Sequence, residues 1–117
     1  MVAIVEDDES YRLAVQRLLK SAGFSVQSFA CAEDFLNSGG QQETGCLIAD
    51  IRMPGISGLD LQAQLIAEHY PIPTIFMTAH GDEKMRLQAM RAGAVKFFTK
   101  PFDGEDLIEA VRVALET

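Results

Sequence analysis

Apolar residues along this chain fall into short continuous blocks and longer stretches in which they recur every three or four positions. Val2-Ala3-Ile4-Val5 is the first block, and such a run reads as a strand buried on both faces. From Ser10 the pattern changes: Val15, Leu18, Leu19 and Ala22 repeat at helical spacing, and Gly23 ends that helix as a left-handed cap. Phe24 to Phe29 alternates, as an edge strand with one wet face does. Residues 32 to 38 set Ala32, Phe35 and Leu36 on one side of a short helix closed by Gly39-Gly40. Cys46-Leu47-Ile48-Ala49 then runs straight into Asp50, and Met53-Pro54-Gly55 turns the chain.

Ser57-Gly58 begins a helix holding Leu61, Leu65 and Ile66, and Pro71 and Pro73 stop it. Thr74 to Met77 is another strand, ending at Thr78-Ala79. Asp82 caps a fourth helix through Ala92, with Gly93 as its terminator. Val95 to Phe98 is the last strand, followed by Thr99-Lys100-Pro101. Asp103 caps a final helix with Leu107, Ile108, Val111, Ala114 and Leu115 inward. Five strands thus alternate with five helices, without a long linker or internal repeat. Strict alternation predicts an α/β domain spanning residues 1–117, a doubly wound, five-stranded parallel sheet with helices on both faces. With the half-wet second strand at an edge, the expected order is 2-1-3-4-5, the flavodoxin-like arrangement.

Size and composition suit one globular domain: 117 residues, 48% apolar and 23% charged. The formal charge of −7 argues against direct nucleic-acid contact by this domain, because phosphate contacts demand a basic face. Met1 to Glu6 has no basic leader, which is unlike a signal peptide, and no apolar run approaches the ~20 residues of a membrane span. Cys31 and Cys46 lack metal or redox spacing and read as buried thiols of a reducing compartment. A cytoplasmic protein without membrane contact is expected.

In an open parallel sheet, ligands bind outside the carboxyl ends of the strands. The residues delivered there are Glu6 and Asp7, Asp50, Thr78, and Lys100. Three neighbouring carboxylates repel one another unless something positive intervenes. A hard divalent cation does so, and Mg²⁺ (or Mn²⁺) suits, since it accepts one or two carboxylates and keeps sites for water or a phosphate oxygen. Lys100 can pair with a phosphoryl group as a point charge, and Thr78 offers it a hydroxyl donor. Asp50 can act as nucleophile, forming an acyl phosphate. Taken singly, each of these residues has an ordinary alternative: a helix cap, a solvated lysine, a strand-end threonine. Five of them on consecutive strand ends favour phosphoryl chemistry.

The set Glu6-Asp7, Asp50, Thr78-Ala79 and Lys100-Pro101, with Met53-Pro54-Gly55-x-x-Gly58 after the acid, resembles the receiver domain of two-component response regulators. In detail, Ile48 to Gly55 and Phe76 to Asp82 are similar to FixJ-type transcriptional regulators. The resemblance implies that Asp50 is the phosphoacceptor for a sensor histidine kinase, and that the domain signals rather than acting as an enzyme. It implies that Asp7 and Asp50 ligate Mg²⁺ directly, that Glu6 acts partly through water, and that the backbone carbonyl of Arg52 completes the protein ligands. Thr78 becomes the switch hydroxyl, Phe97 the switch aromatic (often tyrosine in the family), and Lys100-Pro101 a cis peptide. It further implies a helix-turn-helix output domain outside this chain and a homodimer formed on phosphorylation.

The surface of the fourth helix and fifth strand would then change shape, with Met85, Met90 and Val95 as an apolar patch ringed by Lys84, Arg86 and Arg91. Arg52 and His80, two residues past Asp50 and Thr78, are placed to influence attacking water. His80 reads as a loop histidine more than a general base, and His69 as surface. Tyr11 follows the acidic loop and is placed to line the mouth of the site, without an assigned role. The rival class is a Mg²⁺-dependent phosphohydrolase with an aspartate nucleophile. Hydrolases of the dehalogenase type want a second aspartate where this chain has Arg52, and no nucleotide-binding glycine motif occurs.

Overall fold

A computed structural model describes residues 1–79 and 81–116. The elements run β1 (Val2–Val5), α1 (Glu9–Ser21), β2 (Val26–Phe29), α2 (Ala32–Asn37), a single 3₁₀ turn (Gln41–Glu43), β3 (Cys46–Asp50), α3 (Gly58–Ala67), β4 (Thr74–Thr78), α4 (Glu83–Arg91), β5 (Lys96–Thr99) and α5 (Gly104–Leu115). All strand pairs are parallel, and the sheet order is β2-β1-β3-β4-β5, as expected from the alternation of elements. No helix among the described residues is long and apolar enough to cross a membrane.

The period-two geometry of the strands sorts the apolar side chains into two layers. Val2, Ile4, Cys46, Ile48, Ile75 and Met77 face α1 and α5, where Val15, Leu19, Leu107 and Val111 meet them. Ala3, Val5, Leu47, Ala49 and Phe76 face the other way, onto Phe35, Leu61, Leu65 and Ala89 of α2, α3 and α4. The three central strands are buried along their whole length, whereas β2 and β5 are half-buried edges. Continuous apolar runs in β1, β3 and β4 are therefore what a sheet covered on both faces requires.

Helix ends follow side-chain capping. Asp8, not Ser10, starts α1: its carboxylate accepts the Tyr11 N–H at 3.0 Å. An ionised cap binds a helix N-terminus more strongly than a hydroxyl two residues later could. Asp82 and Asp103 cap α4 and α5 as predicted. Two apolar positions differ from expectation. Ile66 is 51% exposed, because Gln62 takes the inward place beside Leu61 and Leu65 and donates its amide to the Ala89 carbonyl at 3.3 Å. Leu115 is the last residue of α5 and is exposed, while Leu107, Ala110, Val111 and Ala114 form the inner face. Nor do Met85, Met90 and Val95 form one patch. Met85 packs into the α2–α4 layer, Val95 into the opposite one, and Met90 is exposed on α4 beside the equally exposed Leu87.

The turn after Asp50 has one steric requirement. Gly58, the first residue of α3, donates its N–H to the Ile51 carbonyl at 2.9 Å, which draws the helix against the end of β3. A Cβ at Gly58 would lie 2.3 Å from the Asp50 carbonyl oxygen and 3.0 Å from the Ile51 Cα, both backbone atoms. Helix propensity alone favours Gly58→Ala by up to about 1 kcal/mol. Close approach predicts the opposite, a loss of about 2 kcal/mol or more from forced backbone movement. Urea unfolding decides by its sign, and a stabilised variant would mean that the turn is looser than described.

Candidate functional site

Four of the predicted residues meet at the carboxyl edge of the sheet. Glu6 follows β1 and is fully buried; its backbone N–H donates to the Phe29 carbonyl at 3.0 Å, and its carbonyl accepts the Arg12 guanidinium at 2.8 Å. The chain is thus pinned before it reaches Asp7, which is exposed. Asp50 closes β3 and is 7% exposed. Carboxylate oxygens of Glu6, Asp7 and Asp50 lie within 4.8 Å of one another.

Lys100 enters from the loop after β5, held by its backbone N–H on the Thr78 carbonyl at 2.8 Å and followed by a cis peptide to Pro101. Its ammonium is hydrogen-bonded to Glu6 Oε1 and lies 3.3 Å from Asp50 Oδ2. The ring of Tyr11, on α1, sits 4.1 Å from the same nitrogen.

The electrostatics follow from this crowding. Burial pushes the Glu6 carboxyl up to about 7; the Lys100 hydrogen bond opposes the shift, and Asp50 adds to it. Burial works against charge on Lys100 too, but the bond to Glu6 and the charges of Asp50 and Glu6 outweigh it, so the ammonium is held more firmly than usual. One cation therefore faces three carboxylates. Asp50 Oδ1 is buried and has no hydrogen-bond partner among the described residues. Such an oxygen is costly unless a proton or metal ion meets it. Three hard oxygen donors with residual negative charge, one of them orphaned, fit a divalent cation such as Mg²⁺.

Thr78 and Phe97 form a second group. Thr78 is buried at the end of β4, and its register partner on β5 is Thr99; Phe97 pairs with Phe76 and packs into the α2–α4 layer. Asp50 is level with Met77, which faces the opposite layer, toward α1 and α5. The site therefore straddles the sheet edge, with Thr78 and Phe97 belonging to the α4 side. Gly81 joins them: a Cβ there would lie 2.9 Å from Phe97 Cε1 and 3.1 Å from Thr78 Cγ2. A side chain at Gly81 would have to push the Phe97 ring aside.

Arg52 is exposed and makes no side-chain hydrogen bond or ion pair among the described residues, and His80 lies outside them. His69 is exposed, at the end of α3. Sequence reasoning missed Arg12, Gly81 and the contact of Tyr11 with Lys100. Helical spacing does put Tyr11 one turn after the acidic loop, but nothing in the pattern tells which way its ring turns.

The fold and this edge define a class, a doubly wound domain with acids and one lysine gathered at the strand ends, and comparison with known proteins gives the family. The response regulator receiver domain family matches residues 2–112. Response regulator protein TmoT of Ectopseudomonas mendocina is 47% identical over 116 residues, 99% of this chain and 53% of that protein. Transcriptional regulatory protein FixJ of Azorhizobium caulinodans is 41% identical over 114 residues, 97% of this chain and 54% of that protein. Among solved structures, FixJ-N superposes with a TM-score of 0.88 at 40% identity, covering 98% of this chain and 92% of that one. Response regulator StyR gives 0.91 at 47% identity, covering 98% and 58%. The chain belongs to the receiver domains of two-component response regulators, a signalling family in which Mg²⁺ and phosphoaspartate are typical. It spans about half the length of the curated relatives it matches.

The Glu6 shift has a consequence for stability in divalent-free buffer. Unfolded, Glu6 loses its proton near 4.5; folded, it keeps the proton up to about 7. Between these values the folded state binds more protons than the unfolded one. The contribution is thus fully present below 4.5 and is lost as pH rises through about 7, on the order of 3 kcal/mol if the whole shift is expressed. Urea unfolding from pH 4.5 to 8 should show wild type losing stability relative to Glu6→Gln. Parallel curves would mean that Glu6 titrates normally.

Proposed function

We propose that this domain is a phosphorylation-controlled switch whose phosphoacceptor is Asp50. A carboxylate oxygen of Asp50 attacks the phosphorus of a phosphohistidine on a sensor kinase. The new O–P bond forms as the P–N bond breaks, and the electron pair leaves with the imidazole nitrogen. The observation that carries this reading is the position of Lys100 Nζ between Glu6 and Asp50, beside an Asp50 oxygen that no described residue satisfies.

Asp7 and Asp50 would hold Mg²⁺ directly, Glu6 partly through water, and the Arg52 backbone carbonyl would supply the remaining protein ligand. Bound there, the ion offsets the negative charge that gathers on the transferring group. Lys100 exchanges a carboxylate partner for a phosphoryl oxygen, which its compact ammonium does without reorienting a planar group. Thr78 donates its hydroxyl to another phosphoryl oxygen, and its movement opens space for Phe97. Both belong to the α4 side of the sheet, so the change emerges on the surface of α4 and β5. Because the side chain of Phe97 has no hydroxyl, its inward turn is driven by packing alone.

That surface is where phosphorylation would control dimerisation or a helix-turn-helix output domain beyond this chain. FixJ and the Thauera aromatica protein TdiR, both described as transcriptional regulatory proteins, support transcription control as the purpose. The setting is cytoplasmic, with a kinase as donor and at most slow self-dephosphorylation.

Incubation with a small phosphodonor and Mg²⁺ tests the assignment. Wild type should retain close to one acid-stable, base-labile phosphate per chain, and Asp50→Asn should retain none while keeping the wild-type fold. Lys100→Ala should still bind Mg²⁺ but fail to change the α4–β5 surface. Normal uptake by Asp50→Asn, or many equivalents of phosphate released per chain, would overturn the reading.

A further inference from the structure

We infer that Tyr11 is a positioning residue for Lys100, holding the ammonium in place while it changes partners. The inference rests on Asp50 being the phosphoacceptor. An ammonium has three donors, and two sides of Lys100 Nζ are taken by Glu6 and Asp50. The Tyr11 ring, 4.1 Å away, covers another side, and the lysine side chain is only 12% exposed. The negative face of an aromatic ring attracts a cation without fixing it to one point. Carboxylates bind at points. Lys100 can therefore slide from a carboxylate toward a phosphoryl oxygen while staying over the ring and out of water.

Tyr11 is held at its backbone and at its ring. Its backbone N–H donates to the Asp8 cap at 3.0 Å, which sets the first turn of α1. Phe102 meets it edge-on, with centroids 6.1 Å apart, and Phe98 stacks on Phe102 at 5.0 Å. Phe102 is two residues past Lys100, so one loop carries both the lysine and the aromatic that steadies its platform. Phe98 packs toward α1 and α5, the layer opposite Phe97. The contact thus lies outside the Thr78–Phe97 group.

The test compares Tyr11→Phe, which keeps the ring, with Tyr11→Leu, which keeps apolar cover without it. Two quantities are read: the ring-current displacement of the Lys100 Hε resonances in the free protein, and the initial rate of phosphate uptake from acetyl phosphate at saturating Mg²⁺. Tyr11→Phe should keep the displacement and stay within about twofold of the wild-type rate. Tyr11→Leu should lose the displacement and slow uptake about thirtyfold, the kinetic equivalent of one desolvated cation–π contact, with Mg²⁺ affinity unchanged. The inference is overturned if Tyr11→Leu matches wild type, if Tyr11→Phe is as slow as Tyr11→Leu, or if Mg²⁺ affinity falls along with the rate. Should wild type itself take up no phosphate, it is the Asp50 assignment that fails. The resonance series then decides alone: no displacement in wild type, or none lost in Tyr11→Leu, overturns the contact.

Discussion

A single ammonium shared by two buried carboxylates sets the terms for the rest of this structure. Without Lys100, Glu6 and Asp50 would face each other across a low-dielectric gap with Asp7 close by; even with it, burial and the neighbouring Asp50 raise Glu6 to about 7. Lys100 relieves that repulsion only in part, since one charge cannot balance three. The remainder makes the edge receptive to a divalent cation, and an Asp50 oxygen has no partner among the described residues. A fully neutralised cluster would be a more comfortable core and a poorer place to receive anything.

The sheet makes such a cluster affordable. Strands β1, β3 and β4 are buried throughout, and their ladders fix where Glu6, Asp50 and Thr78 emerge. The acids and lysine thus have little freedom to separate. The same register divides the edge into two sides: Asp50 shares its level with Met77, toward α1 and α5, while Thr78 and Phe97 belong to the α4 layer. Gly81 brings the β4–α4 loop into contact with both of the latter. Under the proposed reading, close packing carries a change at the acids to the α4 side without a moving domain.

Much of this was legible in the chain itself. Continuous apolar blocks separated by helical periodicity specify the alternation of elements, and the half-polar Phe24 to Phe29 run marks an edge; sheet order followed from these. Helix faces were read less well where a polar residue takes an inward place. Gln62 displaced Ile66 because its amide finds the Ala89 carbonyl, a contact 27 residues away that no local pattern encodes. The placing of Glu6, Asp7, Asp50 and Lys100 at one edge was readable, because each lies at or just past the end of a strand. Ring orientation was not: the contact of Tyr11 with Lys100 depends on Phe102 and on the loop geometry after β5. The apolar patch imagined from Met85, Met90 and Val95 failed because helix spacing says nothing about which layer the following strand joins.

The most direct test of the central claim is where a divalent cation settles. Mn²⁺ added in small steps to isotope-labelled protein broadens resonances according to their distance from the ion. The signals of Glu6, Asp7, Asp50 and the Lys100 side chain should fade first and together, while the acidic surface residues Glu83 and Glu109 persist. Broadening spread evenly over the carboxylates of a chain of charge −7, or centred away from Asp50, would contradict that claim.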